Sequence, residues 1–232
     1  MITKKAVKTF AVVPINRLAA AKSRLALALS GAGRRELALW MAGRVLGAVA
    51  RSGAVDAIAV VSPDDEALAW ARGYGAIPIA QEHDGLNAGL ALAREHALAR
   101  GADALLVLLG DLPRLTPGEV ARLVSAGKQA EAAHSVVLAP DREGQGTNGL
   151  LLRPPDLLPF AYGPGSFARH RAIARAFGVE PLIVASPGLA FDVDTPADLH
   201  ELERCGVWTP DGGGGGEGAA LAHAGGGGAC HE

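Results

Sequence analysis

Three cationic side chains near the amino terminus are candidates for holding a phosphate group. Arg17, Lys22 and Arg24 stand within eight residues of one another, directly after the apolar run 9–14. A junction between a strand and a helix offers free backbone N–H groups and the positive end of a helix dipole, which suit a phosphate. Cationic side chains add charge-assisted hydrogen bonds to a triphosphate. The alternative interpretation is a solvated cationic helix face, and the spacing matches neither the Walker loop nor GxGxxG.

A single carboxylate follows the most apolar segment of the chain. Gly110 and Asp111 come directly after ALLVLL at 104–109, which we predict to be a buried central strand. A carboxylate at the end of such a strand is costly unless a metal ion or a cation pairs with it. Mg²⁺ prefers one or two carboxylates together with phosphate oxygens and water. We therefore predict that Asp111 binds magnesium, with helix capping as the alternative role.

Two more carboxylates stand near the end of the chain, in FDVDTPADL. Asp192 and Asp194 are two residues apart, so on an extended segment both side chains face the same side. We predict that both are further magnesium ligands. The alternative is that Asp194 or Thr195 caps the following helix, which would explain one acidic residue but not two.

Two glycine-rich segments place further polar groups just before predicted elements. GQGTNG, which contains Thr147, precedes a predicted strand. YGPGSFARH, which contains Gly163, leads into a helix with Ser166 as its predicted cap and with Arg169 and His170 on its first turn. Backbone N–H groups in such segments can bind an anion, so the two segments together could form a second anion pocket.

A third loop, HDGLNA at 83–88, precedes another predicted helix. Asn87 either caps that helix or contacts a nucleobase or ribose, and the pattern leaves both interpretations open. His83 has no partner that the pattern identifies. The chain contains no GxSxG, HExxH or CxxC motif, which argues against covalent and zinc chemistry.

Short apolar runs alternate with amphipathic stretches along the first 210 residues. Strands joined through helices imply a mostly parallel central sheet flanked by helices, and ligands of such sheets bind beyond the carboxyl ends of the strands. We therefore predict one α/β domain over 1–210. The predicted strands are 9–14, 57–62, 76–80, 104–109, 135–139, 150–152 and 182–185, and the predicted helices are 18–29, 33–51, 66–73, 87–100, 116–130, 166–177 and 195–203.

Composition limits the classes of function. The chain has 232 residues, of which 49% are hydrophobic and 20% charged, and its formal net charge is −2. This balance predicts a globular protein and argues against nucleic acid or a membrane as a partner. Two cysteines and the absence of a long apolar run favour a cytoplasmic location. Residues 211–232 contain two glycine runs and are predicted to form a flexible tail.

The order of the motifs resembles one known family. AKSRL, GLNAGLALA, GDLP, APDREGQGTNGLLL, YGPGSFARH and FDVDTPADL together are similar to the 2-phospho-L-lactate or phosphoenolpyruvate guanylyltransferases of coenzyme F-420 biosynthesis. GTNGLLL and YGPGSFARH are the specific motifs, whereas AKSRL, DLP and DTPADL also occur in the wider nucleotidyltransferase superfamily. The resemblance implies a GT-A-like nucleotidyltransferase fold. It also implies transfer of GMP from GTP to a small phosphorylated acid, with Mg²⁺ and release of pyrophosphate.

The residues and the resemblance together imply a set of roles. The catalytic residues are Lys22, Arg24 and Asp111. The nucleotide-binding residues are Pro14, Arg17, Lys22, Arg24 and Asn87. The residues that bind the acceptor's phosphate or carboxylate are Thr147, Gly163 and Ser166, and the metal ligands are Asp111, Asp194 and Asp192. Asn16 stands where the family often has a lysine, so either Arg17 replaces that charge or the charge is dispensable.

Several alternatives stay open at this point. Phosphoenolpyruvate is the favoured acceptor, but 2-phospho-L-lactate and 3-phospho-D-glycerate differ from it only by groups that pocket details discriminate. Another nucleotidyltransferase is the second option, such as a molybdenum-cofactor guanylyltransferase or a cytidylyltransferase. A non-catalytic nucleotide-binding domain is the third. A homodimer is one option for the assembly.

Overall fold

The computed structural model describes residues 7–82, 85–129, 133–206 and 208–209, and within them lie seven β-strands and seven α-helices. The strands are β1 (Thr9–Pro14), β2 (Ala57–Ser62), β3 (Ile77–Ala80), β4 (Ala104–Leu108), β5 (Ser135–Pro140), β6 (Thr147–Arg153) and β7 (Leu182–Ile183). The helices are α1 (Gly31–Arg51), α2 (Asp65–Ala71), α3 (Leu86–Ala99), α4 (Pro117–Gln129), α5 (Ser166–Ala176), α6 (Pro187–Ala190) and α7 (Pro196–Arg204). The predicted tail at 211–232 and His83 lie outside the described residues.

The strands form one sheet in the order β3-β2-β1-β4-β6-β5-β7. Strand β6 runs antiparallel to β4 and β5, and the other pairings are parallel. The predicted mostly parallel sheet is therefore confirmed. Because β6 runs the opposite way, Thr147 at its start lies at the same edge as the carboxyl ends of β1 and β4.

Both faces of the sheet are covered by helices. Alternate side chains of β1 and β4 pack with α1, α2 and α4 on one face and with α3 and α5 on the other. All five residues of β4 are buried, as expected for a strand covered on both sides. A third apolar cluster joins Leu25, Met41, Phe191 and Leu199. It therefore holds together the segment after β1, helix α1, and the segment that leads into α7.

The helix predicted at 18–29 is wrong. This segment contains two single 3-10 turns, Leu18–Ala20 and Ser23–Leu25, and Lys22 between them has a left-handed φ of 49°. Tertiary hydrogen bonds hold the segment in this shape, since the Arg34 side chain donates to the carbonyls of Ala21 and Leu29 at 3.3 and 3.0 Å. Single turns gain too little from internal hydrogen bonds to resist such contacts.

The strand predicted at 150–152 is longer than the sequence indicated. Strand β6 begins at Thr147 and pairs with β4 on one side and β5 on the other, so the GTNG motif belongs largely to the sheet. The close approach of β5 explains a glycine there, because a Cβ on Gly149 would lie 3.1 Å from that of Ala139. Strand β7 is shorter than predicted and ends at Ile183.

The described helices give no sign of a membrane segment: none combines the length and the apolar character needed to cross a bilayer.

Removing a side chain from the central strand should destabilise the protein much more than removing one from the edge strand. Leu106 is 0% exposed in β4 and Leu182 is 44% exposed in β7. We expect Leu106→Ala to lower the free energy of unfolding by about 2–5 kcal/mol and Leu182→Ala by less than about 0.5 kcal/mol. Urea unfolding of both variants measures this, and equal losses would contradict the central position of β4.

Candidate active site

A cleft of about 380 Å³ opens at the edge where β1 and β4 end. Its volume lies within the range of roughly 300–1,000 Å³ that is typical of small-ligand sites. The position agrees with the expectation that ligands bind beyond the carboxyl ends of parallel strands. Five of the side chains predicted to bind nucleotide or metal line the cleft: Pro14, Lys22, Arg24, Asp111 and Asp194.

Lys22 is the centre of the charged part of the cleft. Its Nζ lies 2.8 Å from Asp111 Oδ2 and 2.9 Å from Asp194 Oδ1, and its side chain is only 11% exposed. Burial alone would lower the pKa of the Lys22 ammonium, but the charges of Asp111 and Asp194 and their hydrogen bonds raise it above its ordinary value. Lys22 is therefore a permanent cation between two carboxylates.

Asp111 is placed by the end of β4 and by a close backbone contact. A Cβ on Gly110 would lie 3.3 Å from the Pro14 carbonyl oxygen, so glycine lets the segments after β1 and β4 approach each other. Asp111 Oδ1 is buried and has no hydrogen-bond partner among the described residues. An unpaired buried carboxylate oxygen at this edge is a feature that a bound cation would satisfy.

Asp194 is held at the cleft by the start of helix α7. Thr195 caps the helix: its hydroxyl accepts from the Asp198 N–H, and the Asp198 carboxylate accepts from the Thr195 and Asp194 N–H groups at 2.8 and 3.1 Å. This capping box leaves the Asp194 carboxylate to Lys22. The capping interpretation is therefore confirmed for Thr195 and wrong for Asp194, while the role of Asp194 as a metal ligand stays a prediction.

The aromatic ring of Phe191 positions the segment that carries Asp194. The guanidinium of Arg114 lies 3.7 Å from the ring centroid and that of Arg142 lies 4.8 Å from it. The two cations are themselves held by Glu201, which accepts from Arg114 at 2.7 Å and from Arg142 at 3.1 Å. These cation–π contacts and ion pairs fix the segment before α7.

Asp192 does not join the ion pairs of Lys22. Its Oδ1 accepts from Asn148 Nδ2 at 3.3 Å, and burial, followed by the negative charge of Asp111, raises the pKa of Asp192 to about 6. No group of three or more His, Cys, Asp and Glu side chains within the described ranges is arranged to hold a metal ion. Two carboxylates converge on Lys22 instead, and the metal-binding role of the three aspartates stays a prediction.

The other predicted phosphate-binding cations lie further out. Arg24 lines the cleft but is 74% exposed, with Nη1 3.6 Å from Asp194 Oδ2. Arg17 is exposed and donates to the Pro63 carbonyl at 3.1 Å. Asn16 lines the cleft at the position where the resemblance implied a lysine. Lys22 is thus the buried cation of this segment.

The three predicted acceptor-binding residues form a second group beside the cleft. Ser166 Oγ lies 3.3 Å from Thr147 Oγ1, and Thr147 Oγ1 lies 3.0 Å from His170 Nδ1. Gly163 has a φ of 125° in the turn before helix α5, and Gly165 has a φ of 67°. Gly165, rather than Ser166, is the cap residue of α5, so the Ser166 hydroxyl is available to Thr147.

Asn87 joins helix α3 to the turn before α5. Its Nδ2 donates to the Tyr162 carbonyl at 3.1 Å, and its Oδ1 accepts from the Tyr162 N–H at 2.8 Å. The cap residue of α3 is Gly85, which makes no side-chain capping bond, so the capping interpretation of Asn87 is wrong. The structure places Asn87 against the turn before α5, and its contact with a nucleotide stays a prediction.

The fold is shared with a solved nucleotidyltransferase. A nucleotidyl transferase from Methanothermobacter thermautotrophicus has a similar fold, with a TM-score of 0.63 over 86% of this chain and 97% of that chain, at 18% sequence identity. The predicted GT-A-like nucleotidyltransferase fold is therefore confirmed.

Sequence comparison identifies the family within this class. The model of the family described as "Guanylyl transferase CofC like" matches residues 9–207, and the chain belongs to that family. A phosphoenolpyruvate guanylyltransferase from Sphaerobacter thermophilus is 50% identical over 84% of this chain and 92% of that protein. A phosphoenolpyruvate guanylyltransferase from Rubrobacter xylanophilus is 46% identical over 85% of this chain and 94% of that protein.

Two positioning residues, Asn148 and Arg114, were missed by the sequence analysis, and a third, Arg34, is indicated only by its place at the start of α1. Asn148 donates to Asp192 and to the Leu189 carbonyl, Arg34 staples the segment around Lys22, and Arg114 stacks on Phe191. For Arg34 the available signal is its place at the start of α1, where a cation opposes the helix dipole. Asn148 lies within the GTNG motif, but nothing local to the sequence identifies its partners or those of Arg114, since these lie far away along the chain.

Removing Lys22 should cost more stability than removing its neighbour Arg24. We expect Lys22→Met to lower the free energy of unfolding at pH 7 by about 1–3 kcal/mol, between the values for exposed and fully buried ion pairs. Arg24→Met, at a side chain that is 74% exposed, should change it by less than about 0.5 kcal/mol. Urea unfolding compares the two variants, and equal losses would show that the buried Lys22 ion pairs add no more stability than the exposed charge of Arg24.

Proposed function

We propose that this protein transfers the GMP moiety of GTP to phosphoenolpyruvate and releases pyrophosphate, as a step of coenzyme F-420 biosynthesis. The observation that carries the proposal is the 50% identity to the phosphoenolpyruvate guanylyltransferase of Sphaerobacter thermophilus over 92% of that protein. The cleft supports it, because a buried cation and two carboxylates meet where a nucleotide triphosphate would bind. Neither alternative, another nucleotidyltransferase or a non-catalytic binding domain, has a comparable observation in its favour.

The proposed step is an in-line displacement at phosphorus. An oxygen of the acceptor's phosphate attacks the α-phosphorus of GTP, the bond to the bridging oxygen of the β-phosphate breaks, and pyrophosphate leaves with that electron pair. The attacking phosphate is already anionic near pH 7, so the step needs no general base. Catalysis then consists of positioning and charge neutralisation. Lys22 and Arg24, which line the cleft, are proposed to neutralise the departing pyrophosphate.

Magnesium is the proposed cofactor. The buried unpaired Oδ1 of Asp111 and the hard oxygen donors of Asp111 and Asp194 fit an ion that binds carboxylates together with phosphate oxygens. Asp192 is the third proposed ligand. Bound there, Mg²⁺ would supply neutralisation of phosphate charge. Lys22 now neutralises the same two carboxylates, so a divalent cation on them would free its ammonium for a phosphate.

The acceptor is proposed to bind at the second group of residues. Thr147 and Ser166 have hydroxyl groups at the start of β6 and α5 that are buried, at 1% and 2% exposure, and Gly163 in the turn beside them is exposed. Asn148 links this group to the cleft, because it is the neighbour of Thr147 and donates to Asp192 at 3.3 Å. A net charge of −2 and two cysteines support a cytoplasmic enzyme without nucleic acid or membrane partners.

Pyrophosphate release should depend on both an acceptor and Asp111. With GTP, Mg²⁺ and phosphoenolpyruvate we expect release that is absent without the acid, and less or none with 2-phospho-L-lactate or 3-phospho-D-glycerate. Asp111→Asn should lower kcat at least about 100-fold, the scale of losing one electrostatic contact at the reacting group. Asp156→Asn, at an exposed aspartate after β6, is the control and should keep normal activity.

Either of two results would contradict this proposal. If pyrophosphate were released with none of the three acids, the proposed class of acceptor would be wrong. If Asp111→Asn turned over at a near-normal rate, the proposed role of that carboxylate would be wrong.

Substitutions in the two groups should change different Michaelis constants. Ser166→Val adds bulk beside Thr147, so we expect the KM for phosphoenolpyruvate to rise about tenfold, equivalent to about 1.4 kcal/mol, with the KM for GTP within about twofold. Arg24→Met removes a cation of the cleft and should raise the KM for GTP more than that for the acid. Steady-state kinetics test both, and equal effects on the two constants would argue against separate subsites.

A further inference from the structure

His170 is a buried imidazole beside the hydroxyl groups of Thr147 and Ser166. Its exposure is 0%. Its Nε2 accepts a hydrogen bond from the Ala161 backbone N–H at 3.0 Å. Because a backbone N–H can only donate, Nε2 carries no proton. The proton of the neutral ring is therefore on Nδ1, and Nδ1–H donates to Thr147 Oγ1 at 3.0 Å.

This tautomer decides what the hydroxyl groups can offer to a ligand. Ser166, Thr147 and His170 together have two O–H hydrogens and one N–H hydrogen. The N–H is used on Thr147, and one O–H is used in the 3.3 Å bond between Ser166 and Thr147. One hydroxyl hydrogen of the pair is then left over, whichever way the Ser166–Thr147 bond points. Thr147, Ser166 and His170 are all buried, at 1%, 2% and 0% exposure, so the trio retains one buried hydrogen-bond donor that an anionic oxygen would satisfy.

The turn beside these hydroxyl groups is held by side chains. Ala161 donates its N–H to His170 and accepts from Arg169 Nε at 3.1 Å through its carbonyl. Both backbone groups of Tyr162 are bonded to Asn87. The four backbone groups that precede Gly163 are thus fixed by three side chains, so the loss of any one bond leaves three in place.

We propose that His170 is the positioning residue of the acceptor pocket. It orients the hydroxyl groups of Thr147 and Ser166 so that the pocket donates a hydrogen bond to a phosphate or carboxylate oxygen of the acceptor. The inference rests on the proposed function for the identity of that acceptor.

The electrostatic surroundings keep His170 in the required neutral form. Burial, followed by the positive charge of Arg169, lowers the pKa of His170 to about 4. The ring of Tyr162 covers it edge-on, with 4.9 Å between the ring centroids. At neutral pH the imidazole therefore donates through Nδ1 alone.

Two amide substitutions separate the two hydrogen bonds of His170. In His170→Asn the amide replaces Nδ1, so the donor to Thr147 is kept and the acceptor for Ala161 is lost. In His170→Gln the amide replaces Nε2, so the acceptor for Ala161 is kept and the donor to Thr147 is lost. We expect His170→Gln to raise the KM for phosphoenolpyruvate about tenfold and His170→Asn to raise it less than about threefold. The KM for GTP should stay within about twofold in both.

A double-mutant cycle tests whether His170 acts through Thr147. Thr147→Val removes the hydroxyl at nearly constant volume and should raise the KM for phosphoenolpyruvate about tenfold. Adding His170→Gln to Thr147→Val should then have no further effect, because the shared partner is gone. Thermal unfolding of all four variants gives the loss of stability that each change causes. If His170 had a purely structural role, the KM for phosphoenolpyruvate would rise in proportion to that loss.

The outcomes separate this inference from the proposed function. Equal KM increases in His170→Asn and His170→Gln, or additive effects with Thr147→Val, would overturn the role of His170. Failure of the wild-type protein to turn over any of the three acids would instead overturn the proposed function. In that case calorimetric titration of the same variants with phosphoenolpyruvate alone tests the role of His170. Weaker binding by His170→Gln than by His170→Asn would support that role, and equal binding would overturn it.

Discussion

The ion pairs of Lys22 connect parts of the chain that would otherwise have no reason to stay together. Lys22 lies 89 residues before Asp111 and 172 residues before Asp194, and it binds both carboxylates within 3 Å. A buried ammonium needs such partners, because its desolvation is unfavourable without them. The two carboxylates need the cation for the same reason. The ion pairs of Lys22 with Asp111 and Asp194 thus hold together the cleft between β1, β4 and the start of α7.

Two of the three charged groups, Lys22 and Asp194, are supported by contacts outside the cleft. Lys22 has a left-handed backbone conformation, which costs energy for a residue other than glycine. Arg34 and the apolar cluster around Leu25 hold the flanking turns, so the surrounding structure maintains that conformation. Asp194 depends in the same way on the stacking of Phe191 and on the capping box of α7. The charges meet because packing elsewhere determines the paths of their segments.

Much of the fold and part of the site could be predicted from the sequence. The apolar runs identified all seven strands, and residues just after β1 and β4 line the cleft, because an α/β sheet places its ligand edge at strand ends. The helix at 18–29 failed because amphipathic spacing says nothing about Arg34, whose hydrogen bonds favour separate turns. Asn87 also failed as a cap, since its partner Tyr162 is 75 residues away. Local patterns predict elements well, whereas the roles of polar side chains depend on distant partners.

The antiparallel direction of β6 explains how the charged cleft and the proposed acceptor-binding residues come to lie at one edge. A parallel strand at that place would present its end and a following loop there. Strand β6 presents its beginning, and there its pairing with β5 shifts register between Gly149 and Thr147, so Thr147 and the adjacent Asn148 contact different parts of the structure. Asn148 reaches Asp192 on the charged side, and Thr147 meets His170 on the other. The charged cleft and the buried group of Thr147, Ser166 and His170 are therefore joined through the peptide unit between Thr147 and Asn148, which fixes their separation more firmly than a loop could.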